Sequence, residues 1–525
     1  MLAAYWCRPG ARDCFVILGL FPGPLLPEIR GSHLRLLNLL PLQLLQFRGC
    51  RRALRLSSVL AALLLVSLGL SACGKNFYFA GRNLPPSGIL NRVMIAVQNS
   101  GRGQLFLVDG LYDVRHNYNN TIGAFPINGF NGASLPVSIQ NLPGEQVGLV
   151  FSSSDGTFSQ VNYATESATV LLPPAAAGQI PSSIFASTSR QYIVAAQQQN
   201  HVLQVYDAGS TPTIFQLNLP GVYRVSINPG GTIALAFVQN DNSVYSVVHL
   251  TTAQQQAAVN NPQFPLNGIH AEDCEPQNLP QYCVYPVTVP ASAPVDRPTK
   301  AVFSPDGSSA YIIDCGPECG GQTAGVTQIP LVSTALNTGA QGPAGSGLTT
   351  TKFIPVPGGA TDALFNSGTM YVAGQQQLPD GLFTGELSVV NPGAGTVSAP
   401  VGISDGTHAR MVLADDNTLW LGSSNCQGGE RYKQAQAGAA TPYGCMTMFN
   451  TATNTVTTVE SYKGDGTGIA ALTALHKVYT AEGGQVYIYG TTTGAALDNA
   501  NVTVPATVVD VAYMDAPDDS DNSWY

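Results

Sequence analysis

Beyond residue 89 the chain is a succession of short apolar runs separated by polar turns. The sharpest case is Ala301-Val302-Phe303, the turn Ser304-Pro305-Asp306-Gly307, then Ser309-Ala310-Tyr311-Ile312-Ile313. The same arrangement returns where 225–231 leads into 233–237, 363–368 into 370–373, and 411–417 into 419–422. Runs of this length bounded by Pro, Asp, Asn and Gly predict strands joined by tight hairpins. In Pro-Asp-Gly the proline sets φ at the first central position and the glycine takes the positive φ. A third strand follows at 202–207, 386–391, 446–450 and 485–489, and a looser fourth at 213–217 and 455–459.

Units of roughly 40 to 60 residues with four strands each predict the blades of an all-β propeller. Seven start near 134, 181, 221, 298, 359, 407 and 466. An eighth is divided: 92–98 and 104–109 supply middle strands at the front, and 508–514 a lone first strand at the back. Pairing the last strand with the front closes the ring and leaves no open sheet edge. Eight blades fit best, with seven the alternative because 92–133 is irregular. The propeller is therefore expected over 89–514, followed by an acidic tail over 515–525.

The Phe303-Ser304-Pro305-Asp306-Gly307 turn with its Tyr-bearing strand, Met370-Tyr371-Val372 and Lys477-Val478-Tyr479-Thr480 resemble the YVTN-type propellers. They are also similar to the lactonase-like propellers. The likeness spans most of 88–514 and lies in turn and strand chemistry, so it implies architecture and says little of function.

Upstream, Arg51, Arg52 and Arg55 precede an apolar run over 59–70 that ends in Leu70-Ser71-Ala72-Cys73. A basic segment, an apolar segment and a small-residue cleavage site predict a secretory signal, not a membrane span. The Cys directly after Leu-Ser-Ala resembles the lipobox of bacterial lipoproteins. That resemblance implies lipidation of Cys73, a membrane anchor there, and removal of 1–72; an ordinary signal peptide with an incidental Cys is the alternative. Gly74, where an Asp would retain such a protein at the inner membrane, implies the outer membrane, with the body periplasmic or surface-exposed. Residues 73–88 are expected to be a tether. No Met lies between Met1 and Met94, and 1–50 fit poorly before a signal, so the start is expected to lie downstream.

Charged residues are only 10 % of the chain, and the net charge is −9. Without basic clusters this composition argues against nucleic acid, whose phosphates demand Lys and Arg. Six cysteines follow Cys73 as three near neighbours: Cys274 and Cys283, Cys315 and Cys319, Cys426 and Cys445. In a chain bound for an oxidising compartment they predict three local disulfides. Metal binding is the weaker reading, since only His270 lies near any pair.

No hydrolase elbow, phosphate loop or zinc-binding His-Glu-x-x-His follows Cys73. The histidines are scattered singly, and His408 with Arg410, at the start of a blade, are the best candidates to face the channel. Asp515, Asp518, Asp519 and Asp521 lack the EF-hand order and read as a solvated tail. The long insertions 251–297 and 423–444 are expected to be ordered by their cysteines and to carry binding residues on one face. Tyr282, Tyr285, Arg431, Tyr432 and Tyr443 are the interface-type residues within them. These features predict a monomeric, cofactor-free binding or scaffold protein of the cell envelope, with an envelope protein or glycan as partner. The alternative is a lactonase-like hydrolase acting at the channel.

Overall fold

The computed structural model describes residues 2–7, 14–19, 85–115, 125–176, 179–260, 271–330, 336, 348–458 and 461–516. Two compact units divide the chain at Gly81. In the first, Leu2–Cys7 pairs antiparallel with Cys14–Gly19. Cys73 and the segment around it lie outside the described residues, as do Asp518, Asp519 and Asp521.

The second unit is an eight-bladed propeller of antiparallel sheets. Blade 1 is the divided one: Thr507–Tyr513 is its innermost strand, pairing with Arg92–Asn99, which pairs in turn with Arg102–Asp109. Blades 2 to 8 begin with Pro136–Leu142, Ser183–Ala186, Val222–Ile227, Pro298–Phe303, Asp362–Asn366, Thr407–Ala414 and Gly466–Leu472. Each begins within four residues of its expected start. The strands form because β-branched and aromatic residues pack well on a pleated surface covered on both faces by neighbouring blades. Met94, Leu235, Ile312, Leu421 and Val478 are accordingly fully buried.

Ring closure carries an ion-pair clamp. Arg92, 3 % exposed, pairs with Glu166 of blade 2 at 3.0 Å and with Asp515 at 2.6 Å. Asp515 is thus a structural residue of the closure, in contrast to the solvated role expected of it. It follows the closing strand directly, and burial of the guanidinium demands a counter-charge there.

All three local disulfides form. Cys274 and Cys283 lie opposite each other on paired strands. Two helices lie in the long insertions: α1 (Thr252–Asn260) and α2 (Glu430–Gln436). In a four-stranded antiparallel blade the 1–2 and 3–4 loops leave one face, and the 2–3 and 4–1 loops the other. The loop with α1 joins the third and fourth strands of blade 4, Val244–His249 and Tyr282–Pro286. The loop with α2 joins the second and third strands of blade 7, Thr418–Ser424 and Met446–Asn450. The two insertions therefore emerge on opposite faces, not on one as expected. Tyr282 and Tyr285 are corrected too: they sit in the fourth strand of blade 4, 0 % and 5 % exposed, as core residues. No helix among the described residues is long and apolar enough to cross a membrane.

Candidate functional site

The innermost strands share a backbone irregularity that decides what faces the channel. In blades 2, 4, 5, 7 and 8 the pairing skips one residue, after Pro136, Val222, Pro298, His408 and Gly466. Blade 1 skips Val509. In blades 3 and 6 the N–H groups of Ser182 and Thr361 make the matching bond, to the carbonyls of Ala196 and Ala373. A bulge of this kind bends the strand and re-aims the next side chain. The positions after the skip form one level around the ring: Asp510, Ser138, Ser183, Arg224, Lys300, Asp362, Arg410 and Gly468. They lie near the starts of these strands, hence near the face from which the 2–3 loops and α2 emerge.

Two cations of this ring are matched by carboxylates. Lys300 Nζ contacts Asp362 of the next blade. Arg410 reaches across blade 8 to Asp510, and its Nε donates to the carbonyl of Thr467 at 3.3 Å. That crossing needs a glycine beneath it, because a Cβ on Gly468 would stand 2.4 Å from Asp510 Oδ1. Asp510 also accepts the N–H of Ile139 at 2.7 Å, tying blade 2 to blade 1. Arg410, expected at the channel, stands at this level of the ring and is already paired.

His408 is placed otherwise. The bulge turns its neighbours Thr407 and Ala409 outward, while its own ring is 1 % exposed. Neither ring nitrogen meets a hydrogen-bond partner of ordinary geometry. Burial lowers its pKa to about 4, opposed by a weak interaction with the Ser404 backbone. His408 is therefore a buried imidazole packed at the wall of the channel cavity, whose lining it shares with Thr407 and Ala409, and it offers almost no exposed surface to a partner.

The second feature is a ledge beside the channel on the α2 face. Cys426–Cys445 closes the base of the insertion. Asp405, buried, accepts the N–H of Arg431 at 2.7 Å and that of Gly385 at 2.9 Å. Burial raises its pKa, and those donors with the Arg431 charge oppose the rise. Arg431 Nε donates to the Ile403 carbonyl at 2.8 Å. Arg431 therefore pins α2 to the propeller. The half-exposed residues left outside include three aromatics: Tyr432 and Tyr443 meet edge to face at 5.3 Å, and Tyr443 stacks on Tyr462 at 6.0 Å. Tyr462 lies outside the insertion, in the link to blade 8, and only the fold brings it here.

One further group joins distant residues. His476, on a turn of blade 8, meets Asp415 on the corresponding turn of blade 7. With Asp416 their ligand-type atoms lie within 4.8 Å of one another. Asp416 Oδ2 already accepts the hydroxyls of Thr491 and Thr492 at 2.8 and 2.9 Å. The cluster reads as a stitch between two blades.

No protein-family model matches the sequence, and no curated protein does. Solved propeller structures resemble it at low identity. AztD from Citrobacter koseri superposes with a TM-score of 0.48 and 10 % identity, covering 81 % of this chain and 97 % of that one. Dihydro-heme d1 dehydrogenase NirN gives 0.48 and 10 %, over 82 % and 79 %. A putative 6-phosphogluconolactonase from Bacteroides uniformis gives 0.41 and 13 %, over 81 % and 99 %. These neighbours have varied roles, and at such identities the likeness concerns fold alone. The chain's own strand pairing makes it an eight-bladed propeller, braced by three disulfides.

Proposed function

We propose that this protein is a lipid-anchored propeller of the bacterial cell envelope that works by binding, using the α2 ledge to hold an envelope protein or glycan. The carrying observation is the half-exposed aromatic row of Tyr432, Tyr443 and Tyr462 on a loop already fixed in place. Tyrosine gives large contact area for little conformational entropy, and a braced loop loses less on binding. Closing the insertion by Cys426–Cys445, a separation of 19 residues, is worth roughly 3 kcal/mol in the chain-entropy model. Three disulfides suit an oxidising compartment. The Leu70-Ser71-Ala72-Cys73 motif supports export and anchoring at Cys73, with the outer membrane the expected destination.

The test replaces 428–441 by a Gly-Ser linker of equal length in the exported chain, keeping both cysteines. Folding should persist, and recovery of envelope components by pull-down should fall. Unchanged recovery refutes the ledge as the binding surface, and a metal-dependent esterase activity in the parent chain would move the assignment to a lactonase-like hydrolase. Cys73→Ala should separately abolish lipid labelling and leave precursor; normal processing would refute the anchor.

A further inference from the structure

The ring of channel residues has an excess cation, and we infer that the channel mouth beside blades 3 to 7 is a binding site for a small oxyanion, with Arg224 as its charge partner. This site is distinct from the ledge and does not rest on that reading.

The argument begins with charge matching at one level of the ring. Lys300 is matched by Asp362 and Arg410 by Asp510. Arg224, the third cation there, has no carboxylate partner among the described residues and stands exposed. Its guanidinium is nevertheless positioned. It lies 5.5 Å from the ring centre of Tyr223, and Nη1 is 3.5 Å from the Thr299 carbonyl. Tyr223 is itself fixed, its hydroxyl donating to the Pro298 carbonyl at 2.6 Å. A cation held against an aromatic face and a neutral carbonyl keeps its charge and most of its donors for a ligand. Guanidinium is also the side chain best shaped for two-pronged contact with carboxylate or phosphate.

The space in front of it is a cavity of about 190 Å³ whose lining includes Arg224, Lys300, Asp362, Ser183, Ser226 and Thr407. That holds a small anion and a few waters, each with a liquid volume of roughly 30 Å³. The two serines already serve the frame: Ser183 Oγ accepts the N–H of Val225 at 3.3 Å, and Ser226 Oγ that of Ala301 at 3.0 Å. Each hydroxyl accepts one N–H there and keeps its own proton to donate, which an anionic guest can accept. Asp362 Oδ2 is buried without a hydrogen-bond partner, so the lining is not uniformly cationic. The anion is therefore placed on the Arg224 side, away from that oxygen. Low-dielectric walls on both sides strengthen the attraction relative to open water.

Carboxylates and phosphates share this chemistry, and titration calorimetry of the full chain at low salt separates them. Inorganic phosphate and malonate serve as probes. At least one should bind, Arg224→Gln should weaken it about tenfold or more, and Arg224→Lys should retain part of the affinity. Lys433→Gln, at an exposed side chain that does not line the cavity and is paired with Asp380, should change it less than about twofold. Binding of phosphate alone assigns a phosphoryl group, and of malonate alone a carboxylate. If neither probe binds at about 10 mM, or if Arg224→Gln binds as the parent does, the proposal is wrong. Should Arg224→Gln fail to fold, competition by rising chloride decides: the parent's affinity must fall with salt, and salt-independent binding overturns the assignment.

Discussion

Acidification should weaken blade 7 through His408, and substituting that residue should remove the effect. The imidazole is 1 % exposed and has no well-formed hydrogen bond, so burial penalises the charged form. Its pKa falls from 6.5 to about 4 in the folded protein. Between these two values the unfolded chain binds a proton that the folded chain excludes. Stability is therefore fully present above pH 6.5 and is lost as the pH falls towards 4. At about 1.36 kcal/mol for each pH unit of displacement, the loss is about 3 kcal/mol. The reference is His408→Leu, similar in bulk and without a proton to gain. At pH 7 it should be near neutral or stabilising, because it removes two buried polar atoms that lack partners. Urea unfolding at pH 7, 5.5 and 4 can be followed by the fluorescence of Trp420, which is buried in the adjacent strand of the same blade. Comparing the two proteins cancels the carboxylates common to both. The stability difference should move by about 3 kcal/mol in favour of Leu from pH 7 to pH 4. A difference independent of pH would show that His408 is not excluded from protonation and would refute the placement of its ring.

Three other perturbations test the frame. Arg92→Met leaves Glu166 and Asp515 without their buried counter-charge and should cost about 3–5 kcal/mol; adding Glu166→Gln and Asp515→Asn should recover part of this in thermal melts, whereas Arg92→Met alone melting like the parent would refute the clamp. Deleting 506–525 removes the strand paired with Arg92–Asn99, together with buried Val508, Val511 and Met514. At about 1.5–3 kcal/mol per side chain this takes a large part of an ordinary stability of about 5–15 kcal/mol, so light scattering should report aggregation, and a soluble product melting like the parent would exclude this closure. Gly468→Ala places a methyl 2.4 Å from Asp510 Oδ1 and should destabilise by about 1–3 kcal/mol through overpacking; unchanged denaturant midpoints would place Asp510 elsewhere.

The blades were legible because their determinants are local. Hairpin turns, strand length and the composition of paired strands all act within a few residues, and eight repetitions reinforce the reading. Near-neighbour cysteines were legible for the same reason. The C-terminal closure followed from counting strands, since an odd strand at one end needs a partner at the other. What sequence did not yield depends on pairing register or on distant approach. His408 and Arg410 are two apart, which alternation would place on one face; the skipped Ala409 separates them. Tyr282 and Tyr285 looked like loop residues because α1 and its surroundings postpone the fourth strand of blade 4. Asp515 looked like tail until its approach to Arg92 was seen. Strand counting alone could have assigned the two insertions to opposite faces, since one follows a third strand and the other a second.

The bulge links frame and chemistry. A propeller needs its inner strands to curve where they crowd the axis, and an extra residue per strand increases local twist. The same extra residue fixes which side chain enters the channel, so a requirement of ring geometry selects eight chemically addressable positions at one level. In this chain five of them carry charge: Arg224, Lys300, Asp362, Arg410 and Asp510. Four are engaged in pairs that lock blade 5 to blade 6 and blade 7 to blade 1 across Gly468. A frame-stabilising role accounts for those four, because each pair ties one blade to another around the ring. It does not account for Arg224, whose contacts are an aromatic face and a carbonyl. Arg224 stands exposed, with its charge open to solvent or to a guest and no partner in the frame that requires it. The channel and the ledge thus divide by physical character, one a small charged cavity set by backbone register, the other an aromatic surface set by a disulfide and a buried aspartate.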